Sequence, residues 1–201
     1  MKPIPFIVTV LFFVFSIFPA GARIKGPFVS AEIYGESGVT VAADSARIRI
    51  PKKHEAVIPV SGAYTKNQKE EEPIAAGRTD SVVVWVPTSP EFRHTLIYYE
   101  PYGWCWQLEK NSYIALYAYC GKGYRLWGNG GMSPCGKYIL IAVKNGIATE
   151  FKKTHKRADD KFRRRVAALV ADDPVLGSMI LESRTRRDKT LRMLGLYNPV
   201  Y

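Results

Sequence analysis

The stretch GWCWQLEKNSYIALYAYC, residues 103–120, carries the clearest structural signal in the chain. Its second half alternates with period two: Ile114, Leu116, Ala118 and Cys120 fall on one side, Tyr113, Tyr117 and Tyr119 on the other. Alternation of this kind marks a strand, here with one aliphatic and one aromatic face. Glu109, Lys110, Asn111 and Ser112 separate this strand from GWCWQLE as a tight connection, so the two segments are expected to pair antiparallel.

The pattern extends in both directions. FVSAEIY, VTVAADSARIRI, AVIPV, SVVVWV and HTLIYYE precede this stretch, and KYILIAVK and IATEF follow it. All are short, rich in β-branched and aromatic residues, and bounded by turn formers. Asn145-Gly146 between the last two is a strong hairpin signal. No helical segment long enough for a parallel crossover lies between the strands, which disfavours a doubly wound sheet. The expected class is α+β, mainly β. Residues 23–153 are read as an antiparallel β-sandwich or partly open barrel of about eight strands, and residues 154–201 as two or three helices packed on it.

Two connections interrupt the strands. TKNQKEEEPIAAGRT, residues 65–79, reads as a polar, mobile loop; its run Glu70 to Glu72 lacks the interleaved oxygen ligands of a calcium loop. GKGYRLWGNGGMSP, residues 121–134, is glycine-rich, but it lacks the Gly-Lys-Ser/Thr ending and the following helix of a phosphate loop. Turn geometry is the simpler account of its glycines.

After Thr154 the period changes. Phe162, Val166, Leu169 and Val170 recur at i, i+4, i+7 and i+8, marking an amphipathic helix over residues 158–171 with Asp159 and Asp160 in its first turn. Asp173 and Pro174 then supply an N-cap and a first helical residue, with Leu176, Met179 and Ile180 expected inward. A third, weaker helix covers residues 186–197, with Leu191 and Leu194 inward.

The N-terminus suggests a destination. Lys2, a 13-residue apolar stretch from Phe6 to Phe18, and Pro19-Ala20-Gly21-Ala22 have the order of a signal peptide, with cleavage expected near Ala22. The stretch is too short for a spanning helix, which needs roughly 20 residues. Export to the periplasm or medium is therefore expected, with no transmembrane span in the mature chain. In an oxidising compartment the three cysteines, Cys105, Cys120 and Cys135, can pair. A Cys120–Cys135 bridge across the neck of the glycine-rich loop is the favoured pairing, and would stabilise the fold by about 3 kcal/mol in the chain-entropy model. Three buried free thiols are the alternative.

Composition sharpens the partner question. The 201 residues are 47% hydrophobic, too apolar for a disordered chain, and three cysteines are too few for a disulfide-built miniprotein. Lys and Arg outnumber Asp and Glu by 29 to 18, a formal charge of +11. Residues 150–201 hold 13 basic against 7 acidic side chains, so the excess is concentrated in the helices. Lys161, Arg164 and Arg165 share the solvent side of the first helix, and Arg186 and Arg187 begin the third. Export separates these residues from cellular nucleic acid and leaves anionic lipid, an acidic polysaccharide or an envelope protein as candidate partners. A solvated helix face is the plainer alternative. Trp104, Trp106, Trp127 and Tyr124 are the aromatic candidates for stacking on sugars or peptide side chains, against the usual fate of such rings as core.

No catalytic, metal or cofactor constellation is readable. There is no Gly-x-Ser-x-Gly, no His-Glu-x-x-His and no CxxC, and His54, His94 and His155 have no metal-like spacing. Glu100 and Glu109 could form a glycosidase pair only if the fold brought them together. The expectation is an exported non-catalytic binding or accessory protein. The alternatives are an exported hydrolase of envelope polysaccharide or peptide, and a structural subunit docking another envelope protein.

The segment from Tyr138 to Tyr197 resembles the C-terminal part of a broad group of uncharacterised exported bacterial proteins. It carries KYILIAVKNGIATEF, then a Lys/Arg-rich helix, then DDPVLGSMI and a basic helix ending LGLYN. Further points of likeness are Ile24-Lys25-Gly26, Gly130-Gly131-Met132 and the turn Asp173-Pro174-Val175-Leu176, although Asp173 stands where that group often has Cys. The resemblance implies export and a β-then-helix order, and transfers no functional residue.

Overall fold

The computed structural model describes residues 28–35, 40–61 and 69–199; the signal-peptide reading of residues 1–22 and the Ile24-Lys25-Gly26 motif lie outside them. Twelve strands are found among the described residues: β1 (Phe28–Gly35), β2 (Thr40–Arg49), β3 (Pro59–Ser61), β4 (Lys69–Glu70), β5 (Thr79–Val86), β6 (Ser89–Tyr99), β7 (Gly103–Lys110), β8 (Ile114–Tyr119), β9 (Tyr124–Leu126), β10 (Met132–Pro134), β11 (Ile139–Lys144) and β12 (Ile147–Phe151). Three helices follow: α1 (Asp160–Ala167), α2 (Pro174–Glu182) and α3 (Arg187–Arg192).

Ten strands form one antiparallel sheet in the order β12-β11-β8-β7-β6-β5-β1-β2-β3-β4, and β9 and β10 form a separate hairpin. Most neighbours in the sheet are neighbours in sequence, and connections of two or three residues join β5 to β6, β6 to β7, β7 to β8 and β11 to β12. The Asn145-Gly146 pair has φ of 51° and 75°, the left-handed conformation that a two-residue hairpin turn requires. The sheet coils on itself. Beyond β2 the chain reaches β7, four strands away in the sheet order, where Trp104 N–H donates to the Lys53 carbonyl at 2.8 Å and Trp104 Nε1–H to the Glu55 carbonyl at 2.9 Å. The mainly β architecture with C-terminal helices is as expected, in the form of an open barrel.

The inner face has two halves with different covers. Val29, Ala31, Ile33, Ile48, Val82, Val84, Leu96 and Trp104 fill the coiled half, capped by Leu126 and Met132 of the β9–β10 hairpin. The other half, Ile114, Leu116 and Ala118 of β8, Leu140 and Ala142 of β11 and Phe151 of β12, is covered by Phe162, Val166, Leu176, Ile180, Leu191 and Leu194 of the helical segment. The helices stand where a closed barrel would have further strands. Burying each of these large side chains contributes on the order of 1.5–3 kcal/mol, so residues 154–199 and the β-sheet share one core.

Several expectations change in detail. The segment read as a mobile loop carries β4, a 3-10 turn at Ala76–Arg78 and an isolated bridge between Val57 and Ile74. The glycine-rich connection forms β9 and β10, too short to register as strands in sequence. Asp159 is the N-cap of α1, its carboxylate accepting from Phe162 N–H, instead of lying inside the first turn. On α2, Leu176 and Ile180 are buried as expected, but Met179 faces outward. No helix among the described residues is long and apolar enough to cross a membrane.

Candidate functional site

The basic residues named from sequence do not act as one patch. Lys161 is exposed and has no ion pair among the described residues. Arg186, the N-cap of α3, is held by Asp188 of that helix at 2.8 and 3.1 Å. Arg164 lines a shallow depression with Arg184, Asp160, Arg163 and Leu181. Arg165 and Arg187 converge on a larger cleft of about 480 Å³ between β12, α1 and α3, which Lys152, Lys153, Glu150, Phe151 and Phe162 complete.

The cleft is built from three separate segments. Phe151 ends β12, and its alternation partner Glu150 points to the opposite face of the edge strand, so the cleft wraps around the edge of the sheet. Lys153 leaves the strand with φ of 55°, a left-handed conformation that few non-glycine residues adopt. Phe162 and Arg165 come from consecutive turns of α1. Arg187 is fixed by backbone pairing at the start of α3: its N–H donates to the Lys156 carbonyl at 2.9 Å, and Asp188 N–H donates to Thr154 at 3.0 Å.

Two aromatic rings support two guanidinium groups. Phe151 and Phe162 meet edge to face with centroids 5.5 Å apart. Arg165 lies 4.9 Å from the Phe151 centroid, and Arg187 lies 4.8 Å from that of Phe162. Ring faces attract cations, which favours these positions for the two guanidinium groups. Arg187 is only 18% exposed and donates to Asp159 at 2.7 Å, while its Nε is buried with no hydrogen-bond partner. Hydrogen bonds from Phe162 N–H and then from Arg187 hold the Asp159 carboxyl below its ordinary value. Arg165 and Lys153 have no carboxylate partner among the described residues, and Lys152 has Glu150 at 3.7 Å. Four cations thus face two carboxylates, Glu150 and Asp159.

The aromatic candidates are corrected by burial. Trp104 is 0% exposed and belongs to the coiled core, and Tyr124 is also buried. The Tyr124 hydroxyl donates to the Ala118 carbonyl at 2.6 Å and accepts from Cys120 N–H at 3.2 Å and Trp106 N–H at 3.3 Å, a backbone anchor and not a binding surface. Trp106 is half-buried against His94 and Tyr124. Trp127 alone of the four is exposed, with Arg125 over its ring at 5.2 Å. The outer face of the sheet instead gathers Tyr99, Tyr102, Tyr117 and Tyr119 over the buried Cys105. Tyr102 donates to Glu150 at 2.7 Å, and this hydrogen bond, with burial, raises its pKa to about 12.

The cysteine pairing is also corrected. All three cysteines are free: Cys105 and Cys120 are buried and Cys135 is exposed. Cys120 faces the inner core, whereas Cys135 is drawn to the β9–β10 base by its N–H bond to the Gly123 carbonyl. Burial pushes the Cys105 thiol up to about 12, which keeps it protonated and a poor nucleophile.

Nor does the fold assemble the acid pair. Glu100 precedes β7 and accepts from Tyr98, while Glu109 lies near the far end of β7 and binds Arg192 at 2.7 Å. No group of three or more metal-ligating side chains occurs among the described residues. Sequence reasoning missed Glu150, Phe151, Lys152, Lys153 and Phe162 as site residues; the left-handed backbone at Lys153 has no sequence signature, and Phe151 and Phe162 read as ordinary core. In comparison with known proteins, the chain matches no family model, no curated protein and no solved structure.

Proposed function

We propose that the protein is an exported, non-catalytic binding module of the envelope or extracellular space that engages an anionic or glycan-bearing partner through its C-terminal helical segment. One observation carries this reading: the cleft at the β12 edge, where Lys152, Lys153, Arg165 and Arg187 outnumber their carboxylate partners. Surface charge of this kind raises the local concentration of polyanions and is screened by salt. The N-terminal charge-apolar-small pattern and the resemblance to exported β-then-helix proteins support export.

Co-sedimentation of the purified protein with anionic vesicles and with an acidic polysaccharide, at low and physiological salt, tests the reading. Binding at low salt that weakens with added salt is expected, and a neutral polysaccharide should not be retained. Absence of binding to every polyanion at low salt overturns the proposal.

A further inference from the structure

We infer that the cleft is a discrete pocket for a phosphomonoester carried on a sugar. This inference rests on the anionic-partner reading and specifies the group recognised. Charge is the first argument. Four cations against Glu150 and Asp159 leave a surplus of two positive charges. A phosphomonoester carries about −1.5 to −2 near neutral pH and so balances that surplus, whereas one carboxylate or phosphodiester neutralises only half of it.

Donor supply is the second argument. Among the described residues Arg165 has no hydrogen bond or ion pair beyond its place over the Phe151 ring, and the buried Nε of Arg187 lacks a partner although the same side chain already serves Asp159. A buried donor left unsatisfied is destabilising, and an oxyanion that reaches it removes that cost. Guanidinium groups placed over aromatic rings present planar donor forks suited to oxyanions, and two lysines add point charge at the rim. Size is the third argument. About 480 Å³ exceeds what a bare ion fills, and Phe151 and Phe162 offer apolar surface to the C–H face of an attached sugar ring.

Titration calorimetry with glucose 6-phosphate, glucose 6-sulfate and glucuronate tests the site at neutral pH. Glucose 6-phosphate should bind more tightly than the other two. Arg165→Ala should weaken it about tenfold, the worth of roughly one charge-assisted hydrogen bond, while Lys161→Ala outside the cleft should change it less than twofold. Arg187→Lys keeps the charge but removes the fork and should also weaken binding, with its circular dichroism melt reporting whether the fold is intact. The lipid-borne and soluble sources separate in a second arm: vesicles containing phosphatidic acid, a phosphomonoester, against vesicles of equal charge density containing phosphatidylglycerol, a phosphodiester. Preference for phosphatidic acid, abolished by excess glucose 6-phosphate, assigns a membrane-borne group; glucose 6-phosphate binding with no such preference assigns a soluble one. Equal affinity for all three sugars, or an Arg165→Ala effect no larger than that of Lys161→Ala, overturns the pocket while leaving salt-sensitive polyanion binding as its own result.

Discussion

The ammonium of Lys144 on β11 donates to both carboxylate oxygens of Asp172, at 2.8 and 3.1 Å, and so ties the edge hairpin of the sheet to the junction between α1 and α2. Tyr197 donates to the same carboxylate at 2.5 Å, and the Lys144 ammonium also lies 4.4 Å from the centroid of the Tyr197 ring. Hydrogen bonds from Lys144 and then Tyr197 hold the Asp172 carboxyl below its ordinary value of 3.8. The lower pKa belongs to the folded state, so the stabilisation is complete above the ordinary value and is lost as pH falls through the depressed one. Asp172→Asn should therefore lower the melting temperature at neutral pH, and the gap to the parent should close in acid, once the pH is below that depressed value. Parallel melts that stay separated by the same interval at neutral and at acid pH would refute the ionic account.

Removal of one oxygen at Tyr124 should be felt across two strands. Tyr124→Phe preserves ring volume but leaves the buried Ala118 carbonyl and the Cys120 and Trp106 amides short of a partner. A loss of roughly 1–3 kcal/mol is expected from unsatisfied buried groups. Urea unfolding reads it as a shifted midpoint with an unchanged slope. Trp127→Ala, at an exposed ring, should stay within about 0.5 kcal/mol of the parent.

Thiol accessibility should split one to two. Cys135 is exposed, and Cys105 and Cys120 are buried. Under native conditions a maleimide reagent should label Cys135 alone, with the other two reacting only after denaturation; peptide mass spectrometry reads the sites. Protection of Cys135 that disappears on reduction would instead point to a bridge formed on oxidation.

Gly103 sits where the coiled sheet closes on the segment after β2. Its φ is +95°, and a Cβ added there would run into the Lys53 backbone. Gly103→Ala cannot relieve that overlap by a rotamer change, because carbonyl and carbonyl carbon are what it meets. The expected result is loss of more than about 3 kcal/mol, comparable to a severe core lesion, or failure to accumulate folded protein. The Gly146→Ala change provides the contrast: no atom lies within 4 Å, so the penalty there is conformational only.

Most of the sheet was legible because half-covered strands must alternate. Ile114, Leu116 and Ala118 pack under the helices while Tyr117 and Tyr119 take the outer face, as their spacing indicates. The strands that escaped notice, β4, β9 and β10, have two or three residues and no period to read. The candidate site was half legible. Arg165 and Arg187 stood out by charge, but which cations meet depends on the docking of α3 against residues 154–157, a long-range event. Trp104 and Tyr124 illustrate the converse: ring content indicates neither which face of a strand is covered nor whether a hydroxyl serves backbone instead of ligand. Arg163, buried with its guanidinium on the Ala158 and Ser183 carbonyls, was indistinguishable in sequence from its exposed neighbours.

Among the described residues β12 ends the sheet, with β11 as its one strand neighbour, and the chain leaves that boundary through Lys152 and Lys153. An open strand edge invites addition of another chain, and lysines beside it oppose that by charge repulsion and hydration. The two side chains at the mouth of the cleft therefore also act as gatekeepers against aggregation. A variant that neutralises both removes a ligand contact and a solubility device together, so its binding curve has meaning only beside a light-scattering trace of the same sample.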